Sequence, residues 1–389
     1  MTPTTTTNTL AAQIRKLQPA TLEALRGKSM LMTQDWDAAQ IGQLCVLAET
    51  FEAFDRAGVR VPLCTEELFY ALFFDNSTRT KSSWAGAAAR LGAHPVIVDG
   101  SSTQVAHGET ARETGAMLGM NAHALGVRHD LILGEGNAFM REVKQGIDEY
   151  LDATKDARSV PVVNLQCDID HPTQVLADLL WLRERFPDGL KDKTIAMSWA
   201  YSPSYAKPLS VPQGTIMLMT RFGMNVRLAH PPGYDLLPQC IDAARQNAVA
   251  SGGRFEQIED IDAAFEGADI VYPKSWGPYA LMQERVEANR RNDKEEMQRI
   301  ERRALETNKT HRDWICDERR MKLTRGGKAQ YMHCLPADIG AEVSEKVLER
   351  FRIDLAREAN KKLYAIMALL AVAKVDGLQA RLGDLARAR

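Results

Sequence analysis

The feature that most limits the fold is a regular alternation of short apolar runs with helical stretches. Runs at residues 68–74, 94–98, 122–127 and 160–165 each close on a polar or turn-forming residue, and the sequence between them carries helical periodicity. A second series follows at 194–198, 225–229, 255–258, 270–273 and 329–333. Such alternation predicts an α/β chain with two domains, each a central parallel sheet flanked by helices. With 389 residues the chain is long enough for two cores, and the break is expected near Pro187. Predicted helices lie at 11–25, from a cap at Asp35 to 57, from Pro172 to about 186, over a charged insert at 279–306, and at 362–382. The first nine residues read as an unstructured tail.

Composition excludes several classes. The 49 basic residues are balanced by 51 acidic ones, which argues against a nucleic-acid binder. The local basic runs at 299–303 and 312–325 are interleaved with acids and read as solvated faces. Six cysteines without a CxxC and eight histidines without an HExxH give no metal spacing or disulfide framework. The start lacks a secretory pattern, and the apolar stretch 363–373 is about half of the ~20 residues that span a bilayer. The expected place is the cytoplasm, with no membrane and no nucleic-acid partner.

Polar motifs stand at the ends of the inferred strands. Ser77-Thr78-Arg79-Thr80 follows the first run and opens a helix, where free N–H groups, hydroxyls and a guanidinium can converge on an oxyanion. The same residues also suit a capped helix with a surface arginine. Arg128 ends another run, as an anion ligand or as a salt-bridged surface residue. His171 and Gln174 flank Pro172 at a third, either as satisfied loop residues or as donors to a polarised carbonyl. His333-Cys334-Leu335-Pro336 follows the last run; Cys334 has neither a base nor a metal partner in view and is not assigned as a nucleophile. Gln104 and His107 lie in a polar loop that decorates the surface or reaches a ligand. The proline-rich segment 201–214 occupies the place where a nucleotide-binding fold often has its GxGxxG, and that motif is missing.

Taken together these pieces resemble the aspartate/ornithine carbamoyltransferase family over roughly residues 25–373. Ser77–Thr80 is similar to its Ser-Thr-Arg-Thr phosphate motif, His171–Gln174 to its His-Pro-x-Gln, and His333–Pro336 to its ornithine-type His-Cys-Leu-Pro. The resemblance implies a carbamoyl-phosphate domain at 1–186, an acceptor domain at 187–353, and a closing helix at 354–389 that packs back on the first. It also implies a homotrimer with active sites at subunit boundaries, where Gln104 and His107 would enter a neighbour's site. Implied donor ligands are Ser77, Thr78, Arg79, Thr80, Arg128, His171, Gln174, Cys334, the carbonyl of Leu335, and Lys362. Of these, Arg79, Thr80, Arg128, His171 and Gln174 would act in catalysis, with no metal or organic cofactor.

Two departures bear on the acceptor. The family's Ser-Met-Gly loop is absent from 269–277, and its late Glu-Asn-Arg is replaced by Glu358-Ala359-Asn360-Lys361-Lys362. These changes, the proline-rich segment and Lys274-Ser275-Trp276 resemble the knotted branch, which includes acetylornithine and succinylornithine enzymes. In that branch the second domain carries a trefoil knot. Asp168, Lys274 and Trp276 are then the implied contacts to an amino-acid-like amine other than ornithine. The reaction implied is carbamoyl transfer from carbamoyl phosphate, in either direction; the alternative is a non-catalytic regulatory homologue that binds carbamoyl phosphate.

Overall fold

Four parallel strands, β1 (Leu68–Phe73), β2 (His94–Asp99), β3 (Ala124–His129) and β4 (Val162–Cys167), form one sheet in the order β2-β1-β3-β4. A second parallel sheet has the order β7-β6-β5-β8-β9, from β5 (Thr194–Trp199), β6 (Asn225–Ala229), β7 (Arg254–Ile258), β8 (Ile270–Lys274) and β9 (Gln330–Tyr331). Strands β4, β5 and β8 are buried along their whole length, as expected for near-continuous apolar runs inside parallel sheets. The computed structural model describes residues 3–204 and 207–388. By packing, the described residues within 3–129, 137–167 and 360–388 form one unit, and those within 130–136 and 168–359 form another. Each is an α/β layer structure with helices around its sheet, as the alternation predicts.

In the first unit, register sets the ends of the strands that matter. Phe73 pairs with Asp99 on one side and with Arg128 on the other, so the chain leaves β1 beside Arg128. The β3–β4 ladder shifts register between Val127 and Arg128, an irregularity that re-aims a strand-end side chain. The helix Arg79–Arg90 lies close against the sheet because Gly126 has no side chain. A Cβ there would stand 2.7 Å from Leu165 and 2.9 Å from Trp84. The Trp84 indole N–H donates to the Phe69 carbonyl at 3.2 Å, fixing the helix on β1.

Several local expectations are corrected. The helix Ala38–Arg56 is capped by Asp37, which accepts the Gln40 N–H at 2.8 Å; Asp35 instead accepts the Met32 N–H at 2.8 Å within a 3-10 turn. The start is helical over Pro3–Ile14 and not an unstructured tail, with Leu10 and Ile14 buried where it packs on Ala38–Arg56 and Leu378–Arg387. The charged insert is two helices, Tyr279–Arg290 and Lys294–Lys309, parted at Asn292 (φ 53°) and restarted by an Asp293 cap. The closing helix runs over Glu345–Lys374, much earlier than expected, and ends before Gly377 (φ 59°), after which Leu378–Arg387 begins. Among the described residues no single helix is long and apolar enough to cross a membrane. The apolar stretch 363–373 is core of the first unit.

Candidate active site

In the first unit, the loop between β1 and the helix Arg79–Arg90 presents Ser77 and Thr78 at the helix start. Ser77 Oγ accepts the Thr80 N–H at 3.3 Å, while Thr78 makes no side-chain cap. A single long cap bond satisfies little of the donor set of a helix N-terminus, which suits an incoming anion. Thr80 is buried, and its hydroxyl accepts from Lys362 Nζ at 3.3 Å, with that lysine also buried. The neighbouring Lys361 is occupied with Glu52 at 2.6 Å. Arg128 lies 3.5 Å from the Asp75 carboxylate, a loose pair that an anion could replace. Phe74 is held between His129 and Phe139, at ring-centre distances of 4.6 and 5.0 Å. Gly100 lets that ring lie close, because a Cβ would stand 2.5 Å from it. Thus Ser77, Thr78, Arg79, Thr80 and Arg128 stand at the carboxyl ends of the neighbouring strands β1 and β3, with Lys362 bonded to Thr80. Gln104 and His107 do not join them through any bond; they sit exposed in the 3-10 turn Gln104–His107.

In the second unit, Asp168 accepts the Gly134 N–H at 2.7 Å, and its carbonyl and that of Ile169 accept from Gln213 Nε2. His171 precedes the helix Pro172–Arg185, its Nδ1 3.3 Å from the Thr173 hydroxyl. Gln174 Nε2 donates to Asp178 Oδ1 at 2.7 Å. Lys274 ends β8 wholly buried, donates to the Ser275 carbonyl at 2.7 Å, and has its ammonium pKa lowered by burial. Trp276 is buried, its N–H donating to the Tyr234 carbonyl at 2.8 Å and its own carbonyl accepting from Trp199 at 2.9 Å. The indole therefore pins the backbone that carries Lys274.

The His333–Pro336 loop is shaped by one imidazole. His333 Nδ1 accepts the Leu335 N–H at 2.8 Å, and Leu335 takes φ 55°, a left-handed conformation unusual for a side chain of its size. With Nδ1 an acceptor, Nε2 carries the hydrogen and lies 3.4 Å from Glu342 Oε2. Burial lowers the His333 pKa, against the pull of the Glu342 charge.

Glu342 is the centre of a cluster that the sequence did not announce. Its Oε1 accepts the Ser275 N–H at 2.7 Å, and its Oε2 accepts Lys207 Nζ and the Asp338 N–H, each at 2.9 Å. Burial alone would push this carboxyl up. His333 and the Lys274 and Lys207 ammonium groups outweigh that and hold it well below the usual carboxylate range. Lys207 also reaches Asp338 at 2.7 Å, and Ser202 donates to the same carboxylate. The proline-rich segment is thereby tied to the loop after Pro336; its positions 205 and 206 lie outside the described residues. These partners stand 131 and 135 residues apart, and no local pattern flags such a pairing.

Comparison with known proteins matches these features to one family. Residues 28–184 match the carbamoyl-P binding domain of aspartate/ornithine carbamoyltransferase, and residues 210–373 match its Asp/Orn binding domain. The chain is 48% identical over 354 residues to the putative carbamoyltransferase YgeW of Escherichia coli K12, covering 89% of each. It is 32% identical to the N-acetylornithine carbamoyltransferase of Xanthomonas axonopodis pv. citri, over 88% of this chain and 96% of the other. A solved N-acetyl-L-ornithine transcarbamylase variant, complexed with carbamyl phosphate and N-succinyl-L-norvaline, superposes with a TM-score of 0.72 at 28% identity, covering 88% and 99%. The ornithine carbamoyltransferase of Pyrococcus furiosus gives 0.71 at 26%, covering 90% and 97%. With both domains matched in order and the phosphate, His-Pro-x-Gln and His-Cys-Leu-Pro motifs in place, the chain belongs to the aspartate/ornithine carbamoyltransferase family.

Proposed function

We propose that the chain transfers a carbamoyl group from carbamoyl phosphate to an amino-acid-like amine other than free ornithine. The observation that carries this reading is the cationic cluster at the carboxyl ends of β1 and β3, where a sparsely capped helix start, Arg128 and the buried Lys362–Thr80 pair suit a phosphoryl group. Arg79, Arg128 and the N–H groups of 77–80 hold the phosphate. Thr80, Arg128 and His171 face the carbamoyl oxygen as charge grows there. Gln174 and the Leu335 carbonyl take the NH2, with Cys334 alongside. A neutral amine forms the new C–N bond, the C–O bond to phosphate breaks, and the departing phosphate takes the amine proton. Exclusion of water protects the donor from hydrolysis.

Asp168 and Lys274 contact the acceptor, with Trp276 holding the Lys274 backbone. A lysine there favours an acceptor with a carboxylate, acyl or ureido tail. Relatives named for N-acetylornithine support this choice, as does the absence of Ser-Met-Gly. The same residues serve phosphorolysis of a ureido compound. In functional terms the domains are 1–186, 187–353 and a closing 354–389; the family match over 28–184 supports the first division. Kinship with the acetylornithine enzymes also supports a trefoil knot in the second domain, a homotrimer in which Gln104 and His107 serve a neighbouring site, and a cytoplasmic place.

The test is incubation with carbamoyl phosphate and a panel of ornithine, its N-acetyl and N-succinyl forms, aspartate, putrescine, diaminopropionate and its ureido derivatives. Phosphate release matched by mass to one ureido product supports the proposal and names the acceptor. Product from ornithine alone overturns the acceptor assignment, and failure to bind carbamoyl phosphate overturns the whole reading. Saturable binding without product from any amine favours the regulatory homologue.

A further inference from the structure

Gln174 can turn either end of its amide toward a ligand, and the two ends have opposite hydrogen-bonding character. Asp178 lies one turn along the helix Pro172–Arg185, and its Oδ1 sits 2.7 Å from Gln174 Nε2. From β8, the Tyr272 hydroxyl donates to the other oxygen, Oδ2, at 3.2 Å. All three side chains are buried. A carboxylate only accepts, so an ionised Asp178 draws the Gln174 nitrogen toward itself and leaves Oε1 as the outward end. Among the described residues no hydrogen bond is made to that oxygen.

A second carboxyl supports the ionised form. Glu358 is fully buried beside Asp178, and burial first, then the Asp178 charge, raises its pKa well above the usual range. Neither of its oxygens makes a hydrogen bond of normal geometry. Burial and the Asp178 charge push Glu358 toward the protonated form, while a tyrosine and an amide both donate to Asp178, which suits a carboxylate there.

We propose that Asp178 is a positioning residue that selects the carbamoyl NH2, by holding Gln174 Nε2 so that Gln174 Oε1 faces the donor as an acceptor. This rests on the reading that Gln174 contacts the carbamoyl group. Asp178 touches no substrate; it fixes which end of the amide the substrate meets. A donor group of the same shape without N–H hydrogens then leaves a buried acceptor unpaired, which is how hydrogen-bonding sites reject near-isosteres.

Two phosphonates of nearly equal shape read this directly. Phosphonoacetamide carries the NH2, and 2-oxopropylphosphonate has a methyl group in its place. Calorimetric titration of the intact protein should show the amide bound at least about tenfold more tightly, as expected for one buried hydrogen bond lost against an unpaired partner. In Asp178→Asn the Gln174 amide can turn either way, and the ratio should fall toward one while 2-oxopropylphosphonate binding changes less than about twofold. A merely structural role would weaken both ligands together and leave the ratio intact, which overturns the proposal. Should Asp178→Asn not fold, Tyr272→Phe decides: removing one anchor should lower the ratio about threefold, and an unchanged ratio again overturns the idea. Gln174→Ala separates the two levels of inference. If it keeps the wild-type ratio, the placement of Gln174 on the carbamoyl group is wrong. If it abolishes the ratio while Asp178→Asn does not, only the positioning role falls.

Discussion

Replacing Glu342 by glutamine should cost the second unit about 3 kcal/mol, and the structure shows where the loss arises. The carboxylate uses one oxygen on the Ser275 N–H and the other on Lys207 and the Asp338 N–H. A glutamine has a single oxygen. If it keeps Lys207 and Asp338, its NH2 confronts the buried Ser275 N–H, and an unsatisfied buried donor costs about 1–3 kcal/mol. Lys207 meanwhile loses one of two negative partners; it retains Asp338 at 2.7 Å, so the loss stays below the ~3–5 kcal/mol of a fully broken buried pair. For a unit of this size each kcal/mol moves the melting point by about 2–4 °C, giving an expected fall of about 6–12 °C. The pH dependence adds a second signature. Glu342 is depressed in the folded state, so its contribution is complete above the unfolded carboxyl value of 4.5 and is lost as pH falls below it. His333, lowered by burial, gives both proteins an earlier decline that starts near 6.5. Scanning calorimetry from pH 7 to pH 3 should therefore show the wild-type advantage shrinking below about pH 4.5. A melting-point change under about 2 °C at pH 7, or an advantage that persists undiminished into acid, would refute the reasoning.

Three further outcomes follow from the geometry. Arg128→Met keeps the apolar stem but removes the guanidinium, and carbamoyl-phosphate affinity should drop by tens to about a hundredfold in calorimetry; an unchanged Kd removes Arg128 from the donor site. Lys274→Met should raise the acceptor KM by more than about tenfold while carbamoyl-phosphate binding stays within about twofold, and equal losses for both substrates would contradict an acceptor contact. Gly126→Ala places a methyl group 2.7 Å from Leu165 and 2.9 Å from Trp84, and chemical denaturation should register a loss of about 2 kcal/mol. A loss below about 0.5 kcal/mol would mean that the helix Arg79–Arg90 can slide on its sheet.

Most of the strand framework was legible because buried parallel strands are continuous apolar runs, and 225–229 was located to the residue. The last run shrank to Gln330–Tyr331, since only that much of it pairs with β8. Helix ends were harder. The cap was expected at Asp35, and the backbone instead puts Asp37 against the Gln40 N–H, two residues on. The break at Gly377 had a visible Asp-Gly signal, but the apolar periodicity on both sides argued for continuity. The Ser-Thr-Arg-Thr and His-Pro-x-Gln motifs were readable because their signals are local. The Glu342 cluster was not, since its partners at Ser275, Lys207 and His333 are set by tertiary folding. The same holds for Tyr272 on Asp178, 94 residues away.

The bonds that fasten Lys207 also set an order in time. Its carboxylate partners lie 131 and 135 residues downstream, so at a synthesis rate of about 5–20 residues per second roughly 7–27 seconds pass before the ribosome has made both. Through that interval Lys207 has neither carboxylate partner; only β5 precedes it, and β6 to β9 are made before Asp338 and Glu342. The loop carrying Leu335, and the Glu342 that holds it, are made after every strand of that sheet. The second unit therefore completes its ionic cluster late, and a nascent chain halted before residue 338 would hold all five strands of the second sheet without the clasp that closes it.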